Sequence, residues 1–176
     1  MSTPTPTSDA DFVRRLAAAH HSRKLSPLRR WQYPAVDLGV VALTEGSSRD
    51  DYLVYALTGK AFTLWHSGRS DPRYGREGTG LGKAMRQIGS AGAYGPRDPG
   101  AVRALDGLVR AESPAQLAAA LDKVSALLSG TDHPPHWSTL AEDVRQWHDR
   151  STRDAVRLRW AQQFHTTATK PDSSTN

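Results

Sequence analysis

An all-α fold is predicted by three observations. Apolar residues recur at spacings of three and four through most of the chain, as one face of a helix requires. Pairs that open helices punctuate it at Ser26-Pro27, Asp98-Pro99 and Ser113-Pro114, since proline fits a first turn where its missing N–H has no partner to lose. No stretch has the β-branched alternation or the Asn-Gly and Asp-Gly turns of a hairpin, and no repeat period appears. The expectation is one compact bundle of about eight helices over residues 9–165 with a long glycine-rich loop. Residues 1–8 and 166–176, rich in Ser and Thr with some Pro and without periodicity, read as disordered tails.

Ser8 or Asp9 is placed to cap a first helix, about Ala10 to His21, with Phe12, Leu16 and Ala19 as its stripe. Ser26-Pro27 opens a second helix that turns Leu28, Trp31 and Tyr33 inward and Arg29 and Arg30 outward, and Pro34 ends it. A short helix is expected over Ala35 to Leu43, closed at Glu45 and Gly46. From Asp50 or Asp51 to Trp65 runs the most apolar helix, with Leu53, Ala56, Leu57, Ala61 and Leu64 on one side and Val54, Tyr55 and Phe62 on the rest. Lys60 is the only charge between Tyr52 and Trp65, so this helix should form the centre of the bundle.

Ser67 to Gly82 is polar and glycine-rich, a long loop. It enters a short helix carrying Lys83 and Arg86, with Leu81, Ala84, Met85 and Ile88 for packing, and a second loop runs from Gly89 to Pro96. Asp98-Pro99 starts a helix with Val102, Leu105, Leu108 and Val109 inward. Ser113-Pro114-Ala115-Gln116 combines capping-box spacing with proline at the first helical position, and Leu117, Leu121, Val124 and Leu128 continue it to Gly130. Trp137, Leu140, Ala141, Val144 and Trp147 line a further helix, with Thr139 and Glu142 as a possible box. In the last helix, ending at His165, Val156, Trp160, Ala161 and Phe164 share a face with Arg153 and Arg157. A face at once apolar and cationic can seat guanidinium groups at the rim of a core, stack them on rings, or present them to phosphate.

The chain has 176 residues, 23 Lys and Arg against 18 Asp and Glu, and no cysteine. Disulfides and thiolate metal sites are therefore excluded, in keeping with a reducing cytoplasm. No signal-peptide pattern and no run of apolar residues of membrane-spanning length is present, so the expectation is a soluble cytoplasmic protein. The net charge of +5 favours an anionic partner. Its distribution is more telling: from Phe12 to Val36 there are six cations (Arg14, Arg15, Arg23, Lys24, Arg29, Arg30) and no acid. Solvated helical faces ordinarily mix signs.

Catalytic and cofactor patterns fail one by one. Gly78, Gly80 and Gly82 follow a GxGxG spacing, not a dinucleotide fingerprint. A phosphate-binding loop would need glycine at Glu77 and a hydroxyl residue at Ala84, with a strand before it. The seven histidines include His133, His136 and His148 but no His-Glu-x-x-His helix, so no metal or cofactor is expected. Glu142 and Asp143 are adjacent on a helix and diverge, leaving no carboxylate pair for a catalytic ion, and no Gly-x-Ser-x-Gly elbow occurs. A non-enzymatic protein is expected.

What remains is four basic clusters: Arg23 to Arg30, Lys83 with Arg86, Arg97 with Arg103, and Arg150 to Arg159. One alone reads as a solvated face; four, mostly arginine, suit contact with phosphate. Without a helix-turn-helix or zinc finger, such contact is to the backbone and nearly independent of sequence. Trp31 beside Arg29 and Arg30 either enters the core, as its neighbours favour, or offers a face to a free base.

In order and spacing these segments resemble the CasB family, the small subunit of the type I-E CRISPR surveillance complex Cascade, over about residues 12 to 165. The resemblance rests on Pro27-Leu28-Arg29-Arg30, on Tyr55-Ala56-Leu57, and on Gly80-Leu81-Gly82-Lys83-Ala84-Met85-Arg86, which looks like the family's Ser-x-Gly-Arg-Ala-Leu-Arg. It rests further on Val102 to Leu108 and, most closely, on Trp137 to Trp147 followed by Val156 to His165. Lys83 stands where the family more often has arginine, keeping the charge without the bidentate fork. Gln163 departs likewise, standing where an acid is commoner. The resemblance implies a helical, non-enzymatic subunit, present as a pair, that contacts guide crRNA and the target and non-target DNA strands and stabilises the R-loop. Its other partners would be the backbone and large subunits of Cascade and a second copy of itself, with no membrane involved. Arg23, Lys24, Arg29, Arg30, Lys83, Arg86, Arg103 and Arg157 are the residues expected to touch nucleic acid. The alternatives are a free-standing, non-specific nucleic-acid-binding protein and a helical scaffold whose basic faces meet acidic proteins.

Overall fold

The computed structural model describes residues 8–166, so most of both expected tails lies outside the described residues. Nine α-helices follow one another among them: α1 (Asp9–His21), α2 (Ser26–Arg30), α3 (Leu38–Leu43), α4 (Arg49–Trp65), α5 (Leu81–Met85), α6 (Pro99–Arg110), α7 (Pro114–Leu128), α8 (Trp137–His148) and α9 (Arg153–His165). The expected all-α architecture is therefore the observed one, with one small addition. The Gly89 to Pro96 loop folds into a two-residue antiparallel ribbon, β1 (Gly89–Ser90) paired with β2 (Ala93–Tyr94), followed by a single 3-10 turn.

Side-chain caps set most helix starts. Ser8 accepts from the Asp11 N–H at 3.1 Å, Ser48 from Asp51 at 3.1 Å, Asp98 from Ala101 at 2.7 Å and Ser113 from Gln116 at 3.3 Å, each satisfying a donor that the first turn leaves unpaired. Gln116 Oε1 reaches back to the Glu112 N–H, one residue short of a regular capping box. Two expected starts move. Helix α3 begins at Leu38, not Ala35, because Asp37 caps it through the Val40 N–H, while the Ala35 N–H turns back to the Gln32 carbonyl. Helix α8 begins at Trp137, which puts Thr139 inside the first turn, where its hydroxyl meets His136 Nδ1 in place of a Glu142 box.

Helix α4 is the hub. It packs on α1, α2, α7 and α8, and every residue from Val54 to Thr63 is buried. Leu53 and Leu64, expected inside, are only half-buried, because the neighbours converge on the faces carrying Tyr55, Phe62 and Trp65. Lys60 is buried too, and its Nζ meets Asp122 of α7 at 2.7 Å. Helix α9 is the second hub, lying against α5, α6 and α8. On α6 the inward stripe is Ala101, Ala104, Leu105 and Leu108, whereas Val102 faces out: small alanines let α7 and α9 approach closely. Trp65, Trp137, Trp147 and Trp160 are fully buried and fill the space between the two hubs.

The α5–α9 contact explains the glycines that open α5. A Cβ on Gly82 would run into the Trp160 carbonyl, and one on Gly80 into the Gln163 side chain. The glycine pattern thus serves close helix packing, not a phosphate cradle.

Candidate nucleic-acid interface

The first basic cluster is placed by the end of α1. The Arg23 and Lys24 N–H groups fold back onto the His20 and Ala19 carbonyls at 3.0 and 2.8 Å, with Arg23 in the left-handed region at φ 55°. Leu25, Leu28 and Trp31 are then buried, which forces Arg23, Lys24, Arg29 and Arg30 to the surface of one corner. Trp31 belongs to the core, donating its indole N–H to the Ala35 carbonyl at 2.8 Å, so it offers no face to a base. Between this corner and the end of α4 lies a cleft of about 460 Å³, lined among others by His20, His21, Arg23, Arg29, His66 and Arg69.

Two of those residues are held rigidly. Arg69 lies 3.7 Å over the Trp65 ring and donates to the carbonyls of Trp65, Ser129 (3.0 Å) and Thr131 (2.6 Å). His66 is buried, Nδ1 donating to the Phe62 carbonyl and Nε2 accepting from the Arg73 N–H, both at 2.8 Å. Burial above all, with His20 and the Arg69 guanidinium nearby, lowers its pKa to about 4, so the ring is neutral at physiological pH.

The second cluster is built on α5. Leu81, Ala84 and Met85 point into the contact with α9, leaving Lys83 exposed and Arg86 half-buried, its guanidinium donating to the Thr166 carbonyl. Lys83 and Arg86 form a wall shared by two clefts. One, about 430 Å³, also holds Arg76, Gln87 and His133; the other, about 340 Å³, holds Arg159, Gln162 and Gln163. Among the described residues no Asp or Glu lines any of these three clefts.

The two remaining expected residues stand apart. Arg103 is exposed on α6, outside the three clefts. Arg157 is largely enclosed and occupied within the protein: it bonds the Ala111 carbonyl, Asp154 at 2.9 Å and Glu112 at 3.3 Å, fastening α9 to the end of α6. Arg153 stacks 4.3 Å from the Trp147 ring and donates to the Trp147 carbonyl at 2.9 Å. Sequence reasoning passed over His20, His21, His66 and Arg69 in the first cleft and Arg76 and His133 beside α5. A signal was present for part of this, since the glycine-rich loop carries Arg69, Arg73 and Arg76, but its glycines drew attention to nucleotide motifs instead.

Among the described residues no group of three His, Asp or Glu side chains converges as metal ligands do, and no helix is long and apolar enough to cross a membrane.

Comparison with known proteins agrees with this architecture. CasB from Thermobifida fusca superimposes with a TM-score of 0.67 at 20% identity, covering 90% of this chain and 96% of that one. CasB from Thermus thermophilus gives 0.61 at 15% identity over 90% and 98%, and CasB from M. ruber gives 0.61 at 22% identity over 91% and 93%. No curated protein matches the chain. The family model for CRISPR-associated protein Cse2 matches residues 12–165, the span from the first buried aromatic of α1 to the last residue of α9, and the chain accordingly belongs to the Cse2 family.

Proposed function

We propose that this chain, by its family a Cascade small subunit of CRISPR defence, grips the sugar-phosphate backbone of guide crRNA and of the target and displaced DNA strands, and so stabilises the R-loop without catalysing a reaction. The observation that carries the reading is how the cations sort. Lys60, Arg145, Arg157 and Arg159 are engaged by acids of the protein itself. Arg23, Lys24, Arg29, Arg30 and Lys83 make no ion pair among the described residues and stand at clefts free of carboxylates or beside them. Unpaired arginines in acid-free clefts are suited to phosphate oxygens. Exchange of a DNA duplex for an RNA–DNA hybrid is nearly balanced, so a few backbone contacts can tip it. The backbone and large subunits of Cascade and a second copy of this chain would supply the rest of the channel, Arg103 facing one of them or the nucleic acid.

The test is binding of the purified chain to a guide-RNA Cascade that lacks its small subunit, with and without an R-loop target, across a salt series, with naked RNA and DNA as controls. Tighter binding to the complex than to naked strands supports the proposal. Arg29→Ala/Arg30→Ala should lower the slope of log affinity against log salt by about 2, one counterion for each lost phosphate contact. Equal binding to everything would indicate a free-standing nucleic-acid binder, and no binding at low salt would defeat both.

A further inference from the structure

Resting on the nucleic-acid reading, we infer that the cleft between the α1–α2 corner and the end of α4 receives one unpaired nucleotide, base and phosphate together, whereas the clefts beside α5 hold backbone alone.

The difference lies in what backs each cleft. In the first, the half-buried His20 ring lies 5.1 Å from that of His66, which is stacked on Phe62 at 3.9 Å, so a continuous aromatic wall runs from the cleft into the core. Both His66 nitrogens are spent on backbone partners, so its ring supports His20 and binds no ion. Lining the same cleft, Arg23 and Arg29 are exposed and without an acid, and Arg69 is locked in place by Trp65 and three carbonyls. A flat ring beside two unpaired guanidinium groups matches the two parts of a nucleotide: the base stacks on the ring, and its phosphate meets the arginines. The volume of about 460 Å³ lies within the range of small-ligand clefts, about 300–1,000 Å³. Beside α5 the one ring is His133, which packs on no other ring among the described residues, and the charged groups are Arg76, Lys83, Arg86 and Arg159. That composition suits phosphates and gives a base only one exposed imidazole, unsupported by any other ring, to lie on. A duplex cannot present a base to the first cleft, so the ligand is single-stranded.

The full chain should be titrated by fluorescence anisotropy with a thymidine oligomer, a uridine oligomer and an abasic deoxyribose oligomer of the same length. The base-bearing strands should bind about tenfold more tightly than the abasic strand. His20→Ala should remove that ratio and leave abasic binding intact, whereas Lys83→Ala/Arg86→Ala should weaken all three strands by one factor and keep the ratio. A gain with DNA alone assigns the cleft to the displaced strand, with RNA alone to the guide, and either supports the inference. As a second readout, thymidine 5′-phosphate should shift the His20 and His66 imidazole proton resonances where inorganic phosphate does not. Equal affinity for abasic and base-bearing strands, or an unchanged ratio in folded His20→Ala, overturns the inference and leaves the backbone reading standing. Failure of every strand to bind at low salt overturns the inference, and the backbone reading then stands or falls on binding to Cascade.

Discussion

Arg145 shows what a single residue contributes to this fold. From α8 it forks across both Asp9 oxygens at 3.0 and 2.7 Å and reaches Asp51 at 2.9 Å, so one side chain joins α8 to the first turns of α1 and α4. The Tyr55 hydroxyl completes the node, donating to Asp9 at 3.0 Å. Burial and the adjacent Asp9 charge push the Tyr55 phenol well above its usual range. Burial alone would raise Asp51, but the Arg145 and Ser48 contacts outweigh it and hold that carboxyl low. Because the node is partly open to water, Arg145→Ala should cost about 2 kcal/mol, less than a fully buried pair, and lower Tm by about 4–8 °C in a calorimetric scan. His66 makes the pH-dependent counterpart. Its pKa is lower in the folded chain, about 4 against 6.5, so the unfolded chain binds the proton more readily. Its contribution is fully present above pH 6.5 and is lost as pH falls through 6.5 toward 4, about 3 kcal/mol in all. Urea unfolding on either side of that window should show the loss in the native chain. His66→Phe, which cannot titrate, should lack that component though it starts less stable.

Elements are held by close approaches that particular small or paired residues permit. Helix α5 depends on Gly82, whose missing side chain lets the turn sit on the Trp160 carbonyl of α9. The obstacle is backbone and cannot swing aside, so Gly82→Ala should destabilise by about 1–3 kcal/mol, read as a lower urea midpoint. It should also displace Lys83 and Arg86, weakening nucleic-acid binding in the surviving folded fraction. The α9 arginines divide by role in the same way. Arg157→Ala should lower stability, since it frees the end of α6 from α9, and leave the salt slope unchanged, the reverse of the pattern for Arg29→Ala/Arg30→Ala. Measuring melting temperature and salt slope on both variants separates the groups.

At the scale of the whole molecule, two hubs, α4 and α9, share a core of tryptophans and leave the unpaired cations on the outside. Caps and stripes were legible because they are local: Ser8, Asp98 and Ser113 act on the next three residues, and a helical stripe needs only its own spacing. The basic corner from Arg23 to Arg30 was legible for a related reason, as its arginines are separated by Leu25 and Leu28, which must go inside. The α5 cluster was visible as a charge pair, but its clefts were not, because Arg76, His133 and Arg159 reach it from three other segments.

By itself the sequence determined the all-α class, most helix starts, the central place of α4 and which residues carry positive charge, since propensity, capping and apolar period act over a few residues. Only the tertiary structure decided which arginines are spent inside the protein and which remain for a ligand. An arginine reads alike in sequence whether a distant carbonyl, as at Ala111 for Arg157, or solvent receives it. The same holds for His20 and His66, unremarkable in the chain, which become an aromatic wall because α1 and α4 pack together and bring their rings within 5.1 Å.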